Sequence, residues 1–389
     1  MPTPTILAFT KDWNDVPTCT THVLREMGKT MPVLWINSIG TRKPSLASPR
    51  DFRRVVRRVR EGFRRADHKE NQLSVLSPVV LPKAQSIFVK GLNRRLLAWA
   101  VGRETRRMGR ENIELWAFIP NAVDFAGSLG EKKIIYYCPD DWTKFTFLDA
   151  NWINRCEQEL LRKANVVFAT SRYLVEKFRP IAHDRVHYLP HGVNYELFAQ
   201  ALSPDLPIPA DLAQIRTSSL QSPIIGFYGN LYDWIDFDLL AELARLRPAW
   251  SFVMIGPVLA EITRFQAIPN VHFLGRREPQ QLPAYCKGFD VALIPYRLTD
   301  PRMESVNPVK LRELLAAGVP VVATDVPEIR GLSQFAQIAH SPSQFITALA
   351  GFIEENYRNP NRRREISEER RDDTWSNRVR EIRRIVDAA

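Results

Sequence analysis

Lys310 and Glu313 stand three residues apart in the stretch SVNPVKLRELLAAGVPVVATD, residues 305–325, so they share one face of any helix built there. Asn307 is a good N-cap residue. Pro308 suits a first helical position ahead of Val309, because its fixed φ is already helical and its absent N–H would have gone unpaired. Gly318 then ends the helix, and VPVVAT reads as a short apolar strand of a parallel sheet. A helix N-terminus offers unpaired N–H groups and the positive end of its dipole, to which Lys310 adds a full charge. Such a place holds a phosphate, and Glu313 one turn on can accept two hydrogen bonds from a ribose diol. A nucleoside diphosphate fits both. The same two residues also fit an exposed ion pair worth a few tenths of a kcal/mol.

A second group with chemical potential is the acidic pair in IIYYCPDDWTKF. Asp140 and Asp141 follow an apolar strand, at the end where open α/β sheets bind their ligands. A carboxylate there can serve as a general base toward a hydroxyl. Either one can also cap the next helix.

The elements that must position these groups alternate along the chain. TILAFT, PVLWINS, IELWAFI, KIIYYC, NVVFATS and VHYLP read as strands, with amphipathic helices such as CTTHVLREMGK and DANWINRCEQELLRKA between them. A short helix is expected at DFAGSLG. The rhythm breaks over residues 201–222, rich in proline and serine, and resumes with IIGFYGN, DFDLLAELARLR, SFVMIG, VHFLG and VALIPY. This pattern predicts an α/β protein of two doubly wound, Rossmann-like domains facing a cleft. The first spans 1–200, 201–222 is a linker, the second spans 223–365, and 366–389 is a closing charged amphipathic helix.

With 389 residues the chain is long enough for two full cores. No apolar run approaches the roughly 18 residues of a membrane span. The start, MPTPTILAFTKDW, reads as a first strand and not as a signal peptide. The four cysteines are far apart with no paired spacing, which argues against a disulfide framework or a zinc site and fits a reducing cytoplasm. No cluster of carboxylates or histidines marks a metal, and no cofactor is expected.

The net charge of +11 is concentrated. Residues 50–110 hold 17 Lys/Arg against 5 Asp/Glu, so the rest of the chain is nearly neutral. Within DFRRVVRRVREGFRRAD, apolar residues recur at helical spacing among Arg53, Arg54, Arg57, Arg58, Arg64 and Arg65. SIFVKGLNRRLLAWAVGRETRRMGR is a second basic amphipathic stretch. Two in succession point to an anionic membrane surface, although arginines solvated on helices packed to their own domain would read the same way. No helix-turn-helix, zinc-finger or RNP-type pattern accompanies them, so nucleic acid is not an expected partner.

Three segments taken together resemble a known family. GFYGNLYDWIDFDLLAEL, NVHFLGRREPQQLPAYCKGFDVALIPYR and NPVKLRELLAAGVPVVATDVPEI are similar, in order and spacing, to the donor domain of GT-B glycosyltransferases. The likeness is to family 4-like and xanthan glucuronosyltransferase-like enzymes of bacterial capsular, teichuronic-type and xanthan-type polysaccharides. LPHGVNYELF resembles a family segment ahead of the interdomain connection, and TWSNRVREI the closing helix that crosses back to the first domain. The resemblance implies that Lys310 contacts the donor diphosphate and Glu313 the ribose. It also implies that Tyr296 lines the nucleotide pocket and that Gly229, beside Asn230, lets the backbone approach the phosphates. Many retaining members carry a Glu-x7-Glu pair, and Ser305 stands where its first carboxylate would be. That departure moves the likeness toward the glucuronosyltransferase-like branch. A Tyr-x-x-x-Asp pattern of similar enzymes falls, from Tyr136, on Asp140 as the base, with Asp141 the second choice. In the first loop, TKDWNDVPTCTTHV resembles the acceptor side, with Asp12 and His22 as candidates.

The expected protein is thus a cytoplasmic hexosyl- or uronosyltransferase, peripheral on the inner membrane face and independent of metal. It would move a sugar from a UDP-type donor to a lipid-linked oligosaccharide. A nucleotide-sugar epimerase on the same fold and a non-catalytic partner subunit are the alternatives.

Overall fold

The computed structural model describes residues 3–39, 66–78, 87–107, 112–146, 148–218 and 222–389. The first basic stretch, with Arg53, Arg54, Arg57, Arg58, Arg64 and Arg65, lies outside the described residues. The chain forms two compact units, residues 1–190 with 378–389, and residues 191–377.

Among the described residues the first unit is built on a sheet of eight strands: β1 Thr5–Phe9, β2 Val33–Ile36, β3 Asp67–Glu70, β4 Leu73–Leu76, β5 Ile113–Ala117, β6 Lys133–Cys138, β7 Val166–Ala169 and β8 Val186–Tyr188. Their order is β3-β4-β2-β1-β5-β6-β7-β8, parallel except for β3. The apolar run TILAF is buried along its whole length because helices cover both faces of a parallel sheet. Register places Leu7 between Leu34 and Leu115. The chain winds one way from β1 through β2 to β4 and the other way from β5 to β8, so the order reverses between β1 and β5. The β3–β4 hairpin falls inside the basic block and was not expected. Asp67, His68 and Lys69 are exposed on a charged edge strand, a composition that hides a strand in sequence but guards an open edge. The short helix expected at DFAGSLG is instead a 3-10 turn at Pro120–Asp124, where Pro120 fits the first position.

The second unit carries β9 Ile224–Tyr228, β10 Ser251–Ile255, β11 Val271–Gly275, β12 Val291–Ile294, β13 Val321–Ala323 and β14 Ala336–Ile338. They form an all-parallel sheet in the order β11-β10-β9-β12-β13-β14, reversing between β9 and β12. Two doubly wound α/β units are the architecture the alternation predicts.

The boundary between units falls earlier than the proline-rich stretch. Val193 already pairs with Thr374 inside the second unit. Lys287 Nζ donates to the carbonyls of Ser203, Pro204 and Leu206 at 2.7, 3.0 and 2.6 Å, and Leu212, on the helix Ala210–Ser218, belongs to that unit's core. The expected linker is therefore tied down. The closing helix, Trp375–Ala388, belongs to the first unit from Arg378 onward. There Arg383 grips buried Glu114 of β5 through two hydrogen bonds of 2.7 and 3.1 Å, and Lys133 Nζ donates to the Val386 carbonyl at 2.6 Å.

Candidate active site

In the second unit the expected donor residues converge at the end of β9, where the strand order reverses. The helix after β12 runs Val309–Ala316, with Pro308 at its N-cap in an extended conformation. Asn307 is not the cap. Its Oδ1 accepts from buried Arg312 Nη1 at 2.8 Å, so the residue fixes the approach to the helix. Gly318 does follow the helix with φ of +72°, and the N–H groups of Gly318 and Val319 return to Leu315 and Leu314.

Lys310 and Glu313 share the expected face, but each is held by a residue the spacing alone did not indicate. The Lys310 ammonium lies 4.2 Å from the ring centre of Phe227 and 5.4 Å from that of Tyr296. Each ring face attracts the cation by about 0.5–2 kcal/mol. Glu313 Oε2 accepts from Tyr228 Oη at 2.9 Å. Both charges are half-buried, and burial pulls Lys310 down to about 7 and pushes Glu313 up to about 7. Gly229 closes the site from the β9 side at φ +136°. A Cβ there would come within 2.5 Å of Lys310 Nζ, and one on Gly256 within 1.9 Å of the Gly229 carbonyl oxygen. These two glycines let two loops and a cation meet without side chains between them. Tyr296 is buried, its N–H donating to Thr324 Oγ1 at 3.0 Å, so its ring forms a wall of the group. Asn230 is exposed beside Gly229. Ser305 is buried and donates to the Arg302 carbonyl at 3.1 Å, which ties its hydroxyl to the preceding turn.

In the first unit, Asp140 and Asp141 follow β6 as expected and separate into two roles. Asp141 Oδ1 accepts from Thr143 N at 3.1 Å, Thr143 Oγ1 at 2.6 Å and Lys177 Nζ at 2.7 Å, and the residue caps the 3-10 turn Trp142–Lys144. Burial works to raise its carboxyl, but Lys177 and Thr143 outweigh that and hold it below the usual range. Asp140 has no side-chain hydrogen bond among the described residues. It is half-buried, and burial together with the charge of Asp141 pushes it up to about 7. That is where a general base works well.

Beneath this pair lies a network that sequence reasoning missed. Glu157, fully buried on the helix Ala150–Lys163, accepts from Tyr136 Oη at 2.7 Å and pairs with Lys177 Nζ at 3.2 Å. One signal was available. Glu157 falls on the stripe of Ile153, Leu160 and Leu161, an acid on the apolar face of an amphipathic helix. Lys177→Met would leave two carboxylates with no cation, and urea unfolding at pH 7 is expected to show a loss of about 3 kcal/mol.

On the acceptor-side loop, Asp12 Oδ1 accepts from the Ser38 N–H at 2.9 Å and so braces the chain leaving β2. His22 sits on the helix Cys19–Gly28, and burial, then Arg25 and Lys11, bring it down to about 4. It is a neutral imidazole at ordinary pH. Asp12 and His22 follow β1 and Asp140 follows β6, one strand beyond the β1/β5 reversal. Among the described residues there is no group of three or more His, Cys, Asp or Glu that could hold a metal ion.

Residues 222–355, the stretch that builds the Lys310 group, match the family described as glycosyl transferases group 1. A Bacillus subtilis (strain 168) protein, provisionally named the teichuronic acid biosynthesis glycosyltransferase TuaH, is 28% identical over 233 residues, 56% of this chain. The match spans about half the length of that relative, 56%. In fold the chain is similar over nearly its whole length to Anabaena Alr3699/HepE, solved in complex with UDP and glucose. The TM-score is 0.67 at 13% identity, covering 99% of each chain. It is equally similar to an α,α-trehalose-phosphate synthase (UDP-forming) of Burkholderia xenovorans, solved with glucose-6-phosphate. There the TM-score is 0.67 at 12% identity, covering 99% of this chain and 100% of that one. Residues 222–355 are therefore similar to the glycosyl transferases group 1, in a chain with the two-unit fold of the GT-B glycosyltransferases.

Proposed function

We infer that this protein is a glycosyltransferase of polysaccharide biosynthesis that moves a sugar from a UDP-linked donor to a hydroxyl of a lipid-linked glycan. The observation that carries the reading is the Lys310 group: a cation at a helix N-terminus, held over two aromatic faces against a glycine where a side chain would displace it. The donor's leaving group is a diphosphate, and Lys310 with the helix N-terminus takes up the charge it gains, with no metal invoked. Glu313 accepts from the ribose hydroxyls. Asp140 takes the proton from the acceptor hydroxyl as its oxygen bonds to the anomeric carbon and the bond to the diphosphate oxygen breaks. Attack by the acceptor itself inverts the anomeric centre, in keeping with the missing carboxylate at Ser305. Support for uridine is the UDP in the structure of the Anabaena protein. Support for a polysaccharide product is the teichuronic acid relative.

Calorimetry with UDP, GDP, ADP and TDP tests the donor. Micromolar binding of UDP, at least tenfold tighter than of the other three, is the expected result, with slow release of free sugar from a UDP-sugar in the absence of acceptor. Binding of none of the four would end this reading and favour an inert partner subunit. Conversion of the donor to an epimer without release would favour the epimerase.

A further inference from the structure

The helix Ile87–Arg107 of the first unit has one face that is exposed among the described residues. Asn93, Leu97, Ala100, Val101 and Glu104 are buried against the unit. On the opposite side Phe88, Leu92, Arg95, Trp99 and Arg106 recur at spacings of four, three, four and seven, which keeps all five within one stripe. Phe88 is 91% exposed, Trp99 50% and Leu92 46%, three large apolar side chains in water on a single helix. Single exposed apolar residues are ordinary, but an aligned set with two aromatic rings marks a binding surface.

The charges around the stripe say what it binds. The helix holds six Lys/Arg and one acid, and that acid, Glu104, is buried. Lys90 is engaged by Asp124 at 2.7 Å, and Arg103 pairs with Glu104 at 2.8 Å while its guanidinium lies 5.0 Å from the Trp99 ring centre. Arg95 and Arg106, both exposed and on the stripe itself, have no carboxylate partner among the described residues. A convex row of Phe, Leu and Trp interleaved with unpaired arginines complements an anionic bilayer, where rings and Leu enter the interface and guanidinium groups remain with the phosphates. No helix of the described residues is long and apolar enough to cross a membrane, so the contact is one of lying on the surface.

We propose that the Phe88–Leu92–Arg95–Trp99–Arg106 face of this helix docks the protein on an anionic lipid bilayer. This deepens the lipid-linked-acceptor reading above, and it is tested without nucleotide or acceptor, so either can fail alone. The full chain is floated with vesicles of phosphatidylglycerol and phosphatidylcholine in equal parts, and with pure phosphatidylcholine. Expected are binding to the mixed vesicles only, weakened by salt, and a loss of at least tenfold in Phe88→Ser/Trp99→Ser. Arg95→Glu/Arg106→Glu should lose about 25-fold or more, since each basic residue near such a surface counts for roughly fivefold. The thermal unfolding midpoint serves as the control for folding in both variants. Quenching of fluorescence by brominated phosphatidylglycerol, present in the wild type and lost in Trp99→Phe, reads the same contact without disturbing the arginines. Undiminished flotation of both double variants would overturn the proposal. So would a wild-type dimer that the Ser variant converts to monomer, or equal competition by duplex DNA.

Discussion

Lys310→Ala is expected to weaken UDP binding by roughly 10- to 100-fold, the cost of removing charge-assisted hydrogen bonds to a diphosphate. Calorimetry on the wild type and the variant reads this directly, and the variant should keep its unfolding midpoint within a few degrees. The pH dependence follows from the burial of the two charges. In the empty site Lys310 titrates at about 7, so a rise in pH through 7 removes the cation that meets the diphosphate, while Glu313, which also titrates at about 7, gains the charge with which it accepts from the ribose. The two changes oppose each other, and the lysine, which faces the charged diphosphate, sets the sign. UDP affinity should fall as pH rises above about 7, with proton uptake on binding detectable as a buffer-dependent enthalpy. Tyr228, the other group touching Glu313, is pushed well above its ordinary value by burial and takes no part in this range. In Lys310→Ala the proton uptake should disappear. Without ligand the lysine acts in the opposite direction. Its folded value lies below the 10.5 of the unfolded chain, so the unfolded state binds more protons between about 7 and 10.5, and Lys310 makes the empty protein gain stability as pH rises across that window. No change in UDP affinity on substitution would remove the donor site from this helix.

The parts of this molecule that were legible in sequence are those whose signal is local. Lys310, Glu313 and Gly318 lie within one helix and its stop, and the spacing of three places the first two together wherever the helix packs. The alternation of apolar strands with amphipathic helices gave both sheets, because parallel strands covered on two faces must be continuously apolar. What escaped depended on contacts far apart in the chain. Tyr228 meets Glu313 across 85 positions, and Lys177 meets Asp141 across 36; no periodicity records either pairing. The β3–β4 hairpin escaped for the opposite reason, since an edge strand carrying Asp67, His68, Lys69 and Glu70 looks like part of a solvated charged block. Asn307 shows how a sound local preference is overruled. Its side chain had a good N-cap role open to it, but the buried Arg312 guanidinium five residues on needed an acceptor, and leaving a buried cation unpaired costs more than losing a cap. The two aspartates of the first unit were told apart only by the fold, for nothing in CPDDWTK says which one Lys177 and Thr143 will claim.

Asp140→Asn is expected to lower transfer to acceptor by about a thousandfold while leaving UDP affinity unchanged, the size of effect that loss of a general base gives. Asp141→Asn should behave differently. It removes a charge paired with Lys177 and leaves the amide as a weaker cap for the 3-10 turn, so its main loss should be in stability. At the same time Asp140 should titrate lower, since one of the two causes that hold it up is the Asp141 charge. The pH profile separates these roles. Asp140 must be ionised to accept a proton, so the maximal rate at saturating donor should rise through about pH 7 and then level off. At low donor concentration the falling affinity described for Lys310 adds an alkaline limb in nearly the same range, and kcat/KM for the donor should trace a narrow bell near neutrality. Raising donor to saturation should remove the alkaline limb and leave the acid limb in place, because only the empty site pays for the loss of the ammonium. A profile whose acid limb survives in Asp140→Asn would assign the base to another group of the first unit.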